Sequence, residues 1–127
     1  MHVDVEERTL NVLLSDDSEN VRRHLVDILS DLPQVDIIGE TDTVASTIDA
    51  VDEMQPDVVI LDINMPDGSG IDALKHIKRS CPQTKVIMLT NHANPFYQRA
   101  CMRAGALYFF DKSTEFKRIS EVLSNMV

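Results

Sequence analysis

A chain of 127 residues is the length of one domain with room for a real hydrophobic core. Its 43% hydrophobic content is ordinary, and no stretch nears the roughly 20 apolar residues of a membrane span, so a helical membrane protein is excluded. A formal net charge of −9 excludes general nucleic-acid binding by the surface as a whole.

The charge is unevenly spread. Between His24 and Leu74 there is no Lys or Arg, whereas Lys75, Lys78, Arg79, Lys85, Arg99, Arg103, Lys112, Lys117 and Arg118 follow. An acidic first half suits a metal cation, and a basic second half suits an acidic partner. The N-terminus, MHVDVEERTL, lacks the basic-then-apolar pattern of a secretory signal, so a cytoplasmic location is expected. Cys81 and Cys101 have no metal-ligand or redox spacing and read as small core residues of a reducing cytosol.

In chain order, Thr9 to Ser15 is an apolar strand running into Asp16-Asp17. Asp17 or Ser18 caps a helix with Val21, Leu25, Ile28, Leu29 and Leu32 at helical spacing, stopped by Pro33. Val35 to Glu40 is a second strand, with Gly39 near its end. Thr43 caps a second helix through Val44, Ile48, Val51 and Met54, closed by Pro56. Val58 to Leu61 is a continuous apolar run, as in a strand covered on both faces, and it stops at Asp62. Turn residues Asn64, Met65-Pro66, Asp67-Gly68 and Ser69-Gly70 come next. A third helix carries Ile71, Leu74 and Ile77 on one face and ends near Cys81-Pro82. Lys85 to Leu89 is a fourth strand, ending in Thr90. A fourth helix places Phe96, Tyr97, Ala100, Cys101 and Ala104 inward and ends at Gly105. Leu107 to Phe110 is the fifth strand, ending in Asp111-Lys112. Ser113 caps a last helix with Phe116, Ile119, Val122, Leu123 and Met126.

Five strands alternating with five helices over short connections predict an α/β fold: a doubly wound, five-stranded parallel sheet with helices on both faces, one domain over 1–127 with its core from about residue 9. Every strand of such a sheet opens its carboxyl end on one edge. Asp16, Asp17, Asp62, Thr90 and Lys112 are therefore expected to converge. Three carboxylates about 5 Å apart at an effective dielectric near 20 repel by roughly 3 kcal/mol per pair. A hard divalent cation with oxygen ligands, such as Mg2+, compensates this naturally. A cation, the Lys112 ammonium and the Thr90 hydroxyl around one carboxylate make a receptor for a phosphoryl group, with that carboxylate as in-line nucleophile.

Asp16-Asp17, the LDINMP run with Asp62, Thr90 and Lys112, in this order and at strand ends, resemble the receiver domain of two-component response regulators, with the flavodoxin-like fold of that family. The resemblance implies that Asp62 accepts phosphate from a histidine kinase, a phosphotransfer protein or a small phosphodonor. Asp17, Asp62 and the backbone carbonyl of Asn64 would ligate Mg2+, with Asp16 helping through a water. Lys112 would pair with Asp62 and later with its phosphate. Thr90 would bind a phosphoryl oxygen, and Phe109 would turn inward as Thr90 moves. The face of the fourth helix, fifth strand and last helix, with Arg99, Arg103, Lys117 and Arg118, would then engage a downstream protein. Asn64 and His92 would tune the phosphate lifetime. Neither nucleic acid nor membrane is an expected direct partner, and the family is compatible with monomers and with homodimers. Its members catalyse only their own phosphorylation and dephosphorylation.

Two positions depart from the family pattern. Ser113 follows Lys112 where a proline is usual, and is expected to cap the last helix. Asp111 precedes Lys112 where an apolar residue is common, and reads as a turn acid. His2, His24 and His76 read as solvated positions. The chain end after the last helix fits a stand-alone receiver as well as one cut from a longer protein. The alternative is a pseudo-receiver that binds partners without phosphorylation. An aspartate-nucleophile phosphatase is disfavoured because Asn64 stands where that chemistry wants a second acid. A nucleotide fold is disfavoured because SDDSENV has no glycine.

Overall fold

The structure, a computed structural model, describes residues 9–127. His2 and most of the N-terminal decapeptide lie outside the described residues. Strands β1 (Leu10–Ser15), β2 (Val35–Thr41) and β3 (Val58–Leu61) are followed by a short antiparallel ribbon of β4 (Asn64–Met65) and β5 (Gly68–Ser69). Strands β6 (Lys85–Thr90) and β7 (Tyr108–Asp111) complete a parallel sheet of order β2-β1-β3-β6-β7. The helices are α1 (Glu19–Leu29), α2 (Val44–Met54), α3 (Gly70–Ser80), α4 (Pro95–Arg103) and α5 (Arg118–Ser124).

Alternation along the strands divides the core between the two faces of the sheet. Leu13, Val59, Leu61, Val86 and Met88 pack with Val51, Leu74, Ile77 and Cys101 of α2, α3 and α4. Val12, Leu14, Val58, Ile60, Ile87 and Leu89 pack with Leu25, Leu29, Ile119 and Leu123 of α1 and α5. Both cysteines are buried and free, as their spacing implied. No helix among the described residues is long and apolar enough to cross a membrane. The chain leaves β1 for β2 on one side and reaches β3 on the other. This topological switch opens a crevice at the carboxyl ends of β1 and β3, where Asp16, Asp17 and Asp62 lie.

Several local expectations are corrected. Helix α5 begins only at Arg118, and Ser113 does not cap it. The backbone N–H and hydroxyl of Ser113 both donate to Asp111 Oδ1, closing a turn that holds the chain out of helical geometry there. Phe96 points outward at 68% exposure, because the buried stripe of α4 runs through Tyr97, Cys101 and Ala104 and leaves its neighbour on the other side. Leu107 precedes β7 and is exposed. Gly39 sits inside β2, where the register shifts between Val12 facing Ile37 and Leu13 facing Gly39. The β4–β5 ribbon was legible only as turn residues.

At the start of α3 the backbone packs hard against the site. A Cβ on Gly70 would fall inside the van der Waals shell of the Asp62 carbonyl oxygen. Gly70→Ala must therefore push Asp62 or α3 away, an overpacking expected to cost about 3 kcal/mol in urea unfolding. A wild-type midpoint would show that α3 can shift freely.

Candidate functional site

The sheet ladder carries the site residues into place. Asp62 N donates to Ser15 O at 3.0 Å, and Lys112 N donates to Thr90 O at 3.0 Å, each one step past its strand. The crevice thereby receives Asp16 and Asp17 from β1, Asp62 from β3 and Lys112 from β7. Lys112 Nζ lies 2.7 Å from Asp16 Oδ2 and 3.0 Å from Asp62 Oδ2, with all three side chains buried. One ammonium thus bridges two acids. The second oxygens are also occupied: Asp16 Oδ1 accepts from Ser18 N at 2.9 Å, and Asp62 Oδ1 accepts from Ile63 N at 2.7 Å. Asp17 is exposed at the rim, and oxygens of Asp16, Asp17 and Asp62 lie within 4.8 Å of one another.

The electrostatics follow from this crowding. Burial pushes the Asp16 carboxyl above the usual carboxylate range, against the opposing pull of Lys112 and the Ser18 N–H. Burial also disfavours the Lys112 ammonium, but its contacts with Asp16 and Asp62 outweigh that and raise its pKa. Three carboxylates against one ammonium leave the crevice negative. All the donors that converge there are oxygens, the ligand type of a hard divalent cation, so the residues fit Mg2+.

The remaining predicted residues form the mouth of the crevice. Thr90 is fully buried at the end of β6, and its Oγ1 accepts from His92 N at 3.0 Å, leaving its hydroxyl proton available. Nδ2 of Asn64 and Nε2 of His92 lie 2.6 Å apart, tying the loop after β3 to the loop after β6. Phe109 is half-buried between the core under α4 and a surface groove. That groove runs between α4, β7 and α5, past Met102, Tyr108, Phe110 and Arg118, and the Arg118 guanidinium lies over the Phe110 ring. Arg99, Arg103 and Lys117 are exposed. Of the outlying histidines, His24 stacks on Phe116 and His76 pairs with Asp52, both away from the crevice.

Three contributors escaped the sequence reading. Arg22 of α1 donates from Nη1 to the Asp16 carbonyl at 2.5 Å and from Nε to Glu40 at 2.8 Å, fixing the backbone that presents the acidic pair. Glu115 accepts from Asp111 N at 3.0 Å and, with the Asp111–Ser113 turn, holds the segment that carries Lys112 without a proline. Asp67 reaches from the β4–β5 turn to the start of α2. In the sequence, Arg22 is a helix residue among others, and Asp67 is half of an Asp-Gly turn signal.

This arrangement invites comparison with known proteins. The chain is 36% identical over 97 residues to the DNA-binding transcriptional activator DevR/DosR of Mycobacterium tuberculosis, covering 76% of this chain and 45% of that protein. It is 31% identical over 115 residues to the response regulator VraR of Staphylococcus aureus, covering 91% of this chain and 55% of that protein. The chain thus spans about half the length of these curated relatives. Among solved structures, the response regulator domain of Thermotoga maritima CheB superposes with a TM-score of 0.81 at 30% identity, covering 94% of this chain and 93% of that one. The family model for the response regulator receiver domain matches residues 12–124. With its parallel sheet and its acids gathered at the switch point, the chain belongs to the response regulator receiver domain family, whose general function is that of a phosphorylation-dependent switch.

Proposed function

We propose that this chain is phosphorylated on Asp62 and that the modification changes its α4–β7–α5 face. The observation that carries this reading is Lys112 Nζ, held between Asp16 and Asp62 beside the exposed Asp17. A carboxylate oxygen of Asp62 attacks phosphorus in line, forming an acyl phosphate. The donor's bond to phosphorus breaks: P–N in a phosphohistidine of a kinase or phosphotransfer protein, P–O in acetyl phosphate. The electron pair leaves with the imidazole or the acetate. Water later attacks the acyl phosphate and returns inorganic phosphate and Asp62. In this sense the chain catalyses only its own modification.

By likeness to the family, Asp17, Asp62 and the Asn64 backbone carbonyl would hold Mg2+, with Asp16 acting through a water. When bound, Mg2+ supplies positive charge to the phosphoryl oxygens. The Lys112 ammonium, already in contact with Asp62, transfers its contact to the phosphoryl group as that oxygen is esterified. The Thr90 hydroxyl donates to a phosphoryl oxygen, and Phe109 turns inward behind it. The groove by Tyr108 and Arg118 is the surface a downstream protein reads, in the cytoplasm.

Incubation with acetyl phosphate and Mg2+ tests the proposal. The intact mass should rise by one phosphoryl group that hydroxylamine removes. An unchanged mass would leave only the pseudo-receiver alternative. Asn64 Nδ2 and His92 Nε2 lie 2.6 Å apart across the mouth, at positions that in this family flank the path of the hydrolytic water. His92→Ala is expected to change the decay rate of the phosphorylated form with stability kept within about 0.5 kcal/mol, as for most exposed sites. An unchanged decay rate would make His92 an ordinary loop residue.

A further inference from the structure

Asp67 lies in the turn between β4 and β5, five residues after Asp62 and outside the acidic crevice. Its two carboxylate oxygens accept from the first two backbone N–H groups of α2: Val44 N to Oδ1 at 2.7 Å and Ala45 N to Oδ2 at 3.1 Å. The helix already has its own cap. Thr43 Oγ1 accepts from Ser46 N at 3.0 Å, and Ser46 Oγ accepts from Thr43 N at 3.2 Å. That box satisfies the N–H groups of Thr43 and Ser46, and Asp67 takes the two between them, so the contact ties the loop that supplies it to α2 while completing the helix start. The two N–H groups hold the Asp67 carboxyl below the usual carboxylate range.

The ribbon that Asp67 closes is short. Only Asn64–Ser69 and Met65–Gly68 pair across it. A two-stranded ribbon of this length has no stability of its own. Its anchors are the Asn64–His92 contact, the buried Met65, the bond from Gly70 N to Ile63 O, and Asp67 on α2. Ile63 and Met65 bracket Asn64, whose backbone must stay in place if a carbonyl is to face the crevice, and Asp67 holds the turn that follows.

We infer that Asp67 is a positioning residue, which fixes the loop after Asp62 by gripping the N-terminus of α2 and thereby sets the Mg2+ affinity of the site. The inference rests on the Mg2+ reading above. It makes α2 a structural partner of the metal site, although α2 contributes no ligand.

The test compares the wild type, Asp67→Asn and Asp67→Ala. In EDTA, amide hydrogen exchange of Asn64–Ser69 reads the ribbon directly. Calorimetric Mg2+ titration reads the site, and thermal melting reads the fold. Removing a group that orients a ligand is expected to weaken Mg2+ affinity by about tenfold in Asp67→Ala. Ribbon exchange should quicken in the same variant. Asp67→Asn keeps one acceptor oxygen, so it should fall between, and it carries the test if Asp67→Ala does not fold. A lower melting temperature with wild-type exchange and wild-type Mg2+ affinity would make Asp67 a helix cap only and overturn the inference. Faster exchange with unchanged affinity would overturn it as well. A wild type that binds no Mg2+ sinks the metal reading itself and the affinity claim with it, while ribbon exchange still decides whether Asp67 holds the loop.

Discussion

Asp62→Asn is expected to abolish phosphorylation by acetyl phosphate completely while leaving the fold intact. The amide has the shape of the carboxylate, and its oxygen still accepts from Ile63 N. It carries no charge and is no nucleophile toward phosphorus. The substitution also removes one of three crowded acids, and Lys112 keeps Asp16 at 2.7 Å as a partner. The variant should therefore melt in EDTA no lower than the wild type. Loss of the hydroxylamine-labile mass with melting retained isolates the chemistry from the structure. A phosphoryl adduct persisting on the variant would mean that another acid is the acceptor.

Lys112→Ala should have the largest effect on stability. It strands Asp16 and Asp62 in the interior without their ammonium. Removing one partner of a buried ion pair costs on the order of 3–5 kcal/mol. A domain is stable by only about 5–15 kcal/mol, so the loss is a large share of the total. Two further signs follow. The raised Lys112 pKa means that its stabilisation is present below pH 10.5 and is lost as pH climbs through the raised value. In the variant, the Asp16 carboxyl, already pushed up by burial, loses the ammonium that opposed the push. The variant's deficit should therefore shrink as pH falls and Asp16 protonates. It should also shrink when Mg2+ supplies the missing positive charge. Urea midpoints in EDTA at neutral and mildly acidic pH, and with Mg2+, measure all of this. A variant as stable as the wild type at neutral pH would mean that water reaches Asp16 and Asp62 freely.

By itself, the order of residues determined the architecture and the membership of the crevice. Apolar runs of strand length alternate with helical periods, and a parallel sheet sends every strand's carboxyl end to one edge. Asp16, Asp17, Asp62, Thr90 and Lys112 were legible because each interrupts or follows an apolar run at such an end. Tertiary structure alone decided that Lys112 reaches Asp16 as well as Asp62, that Asn64 meets His92, and that Asp67 grips α2. It also decided that Asp111 draws Ser113 into a turn and that Phe96 faces solvent. Periodicity reports which side of its own element a residue occupies. It carries no record of how far a side chain reaches into another element, because that distance is set by strand register and helix packing across the whole sheet.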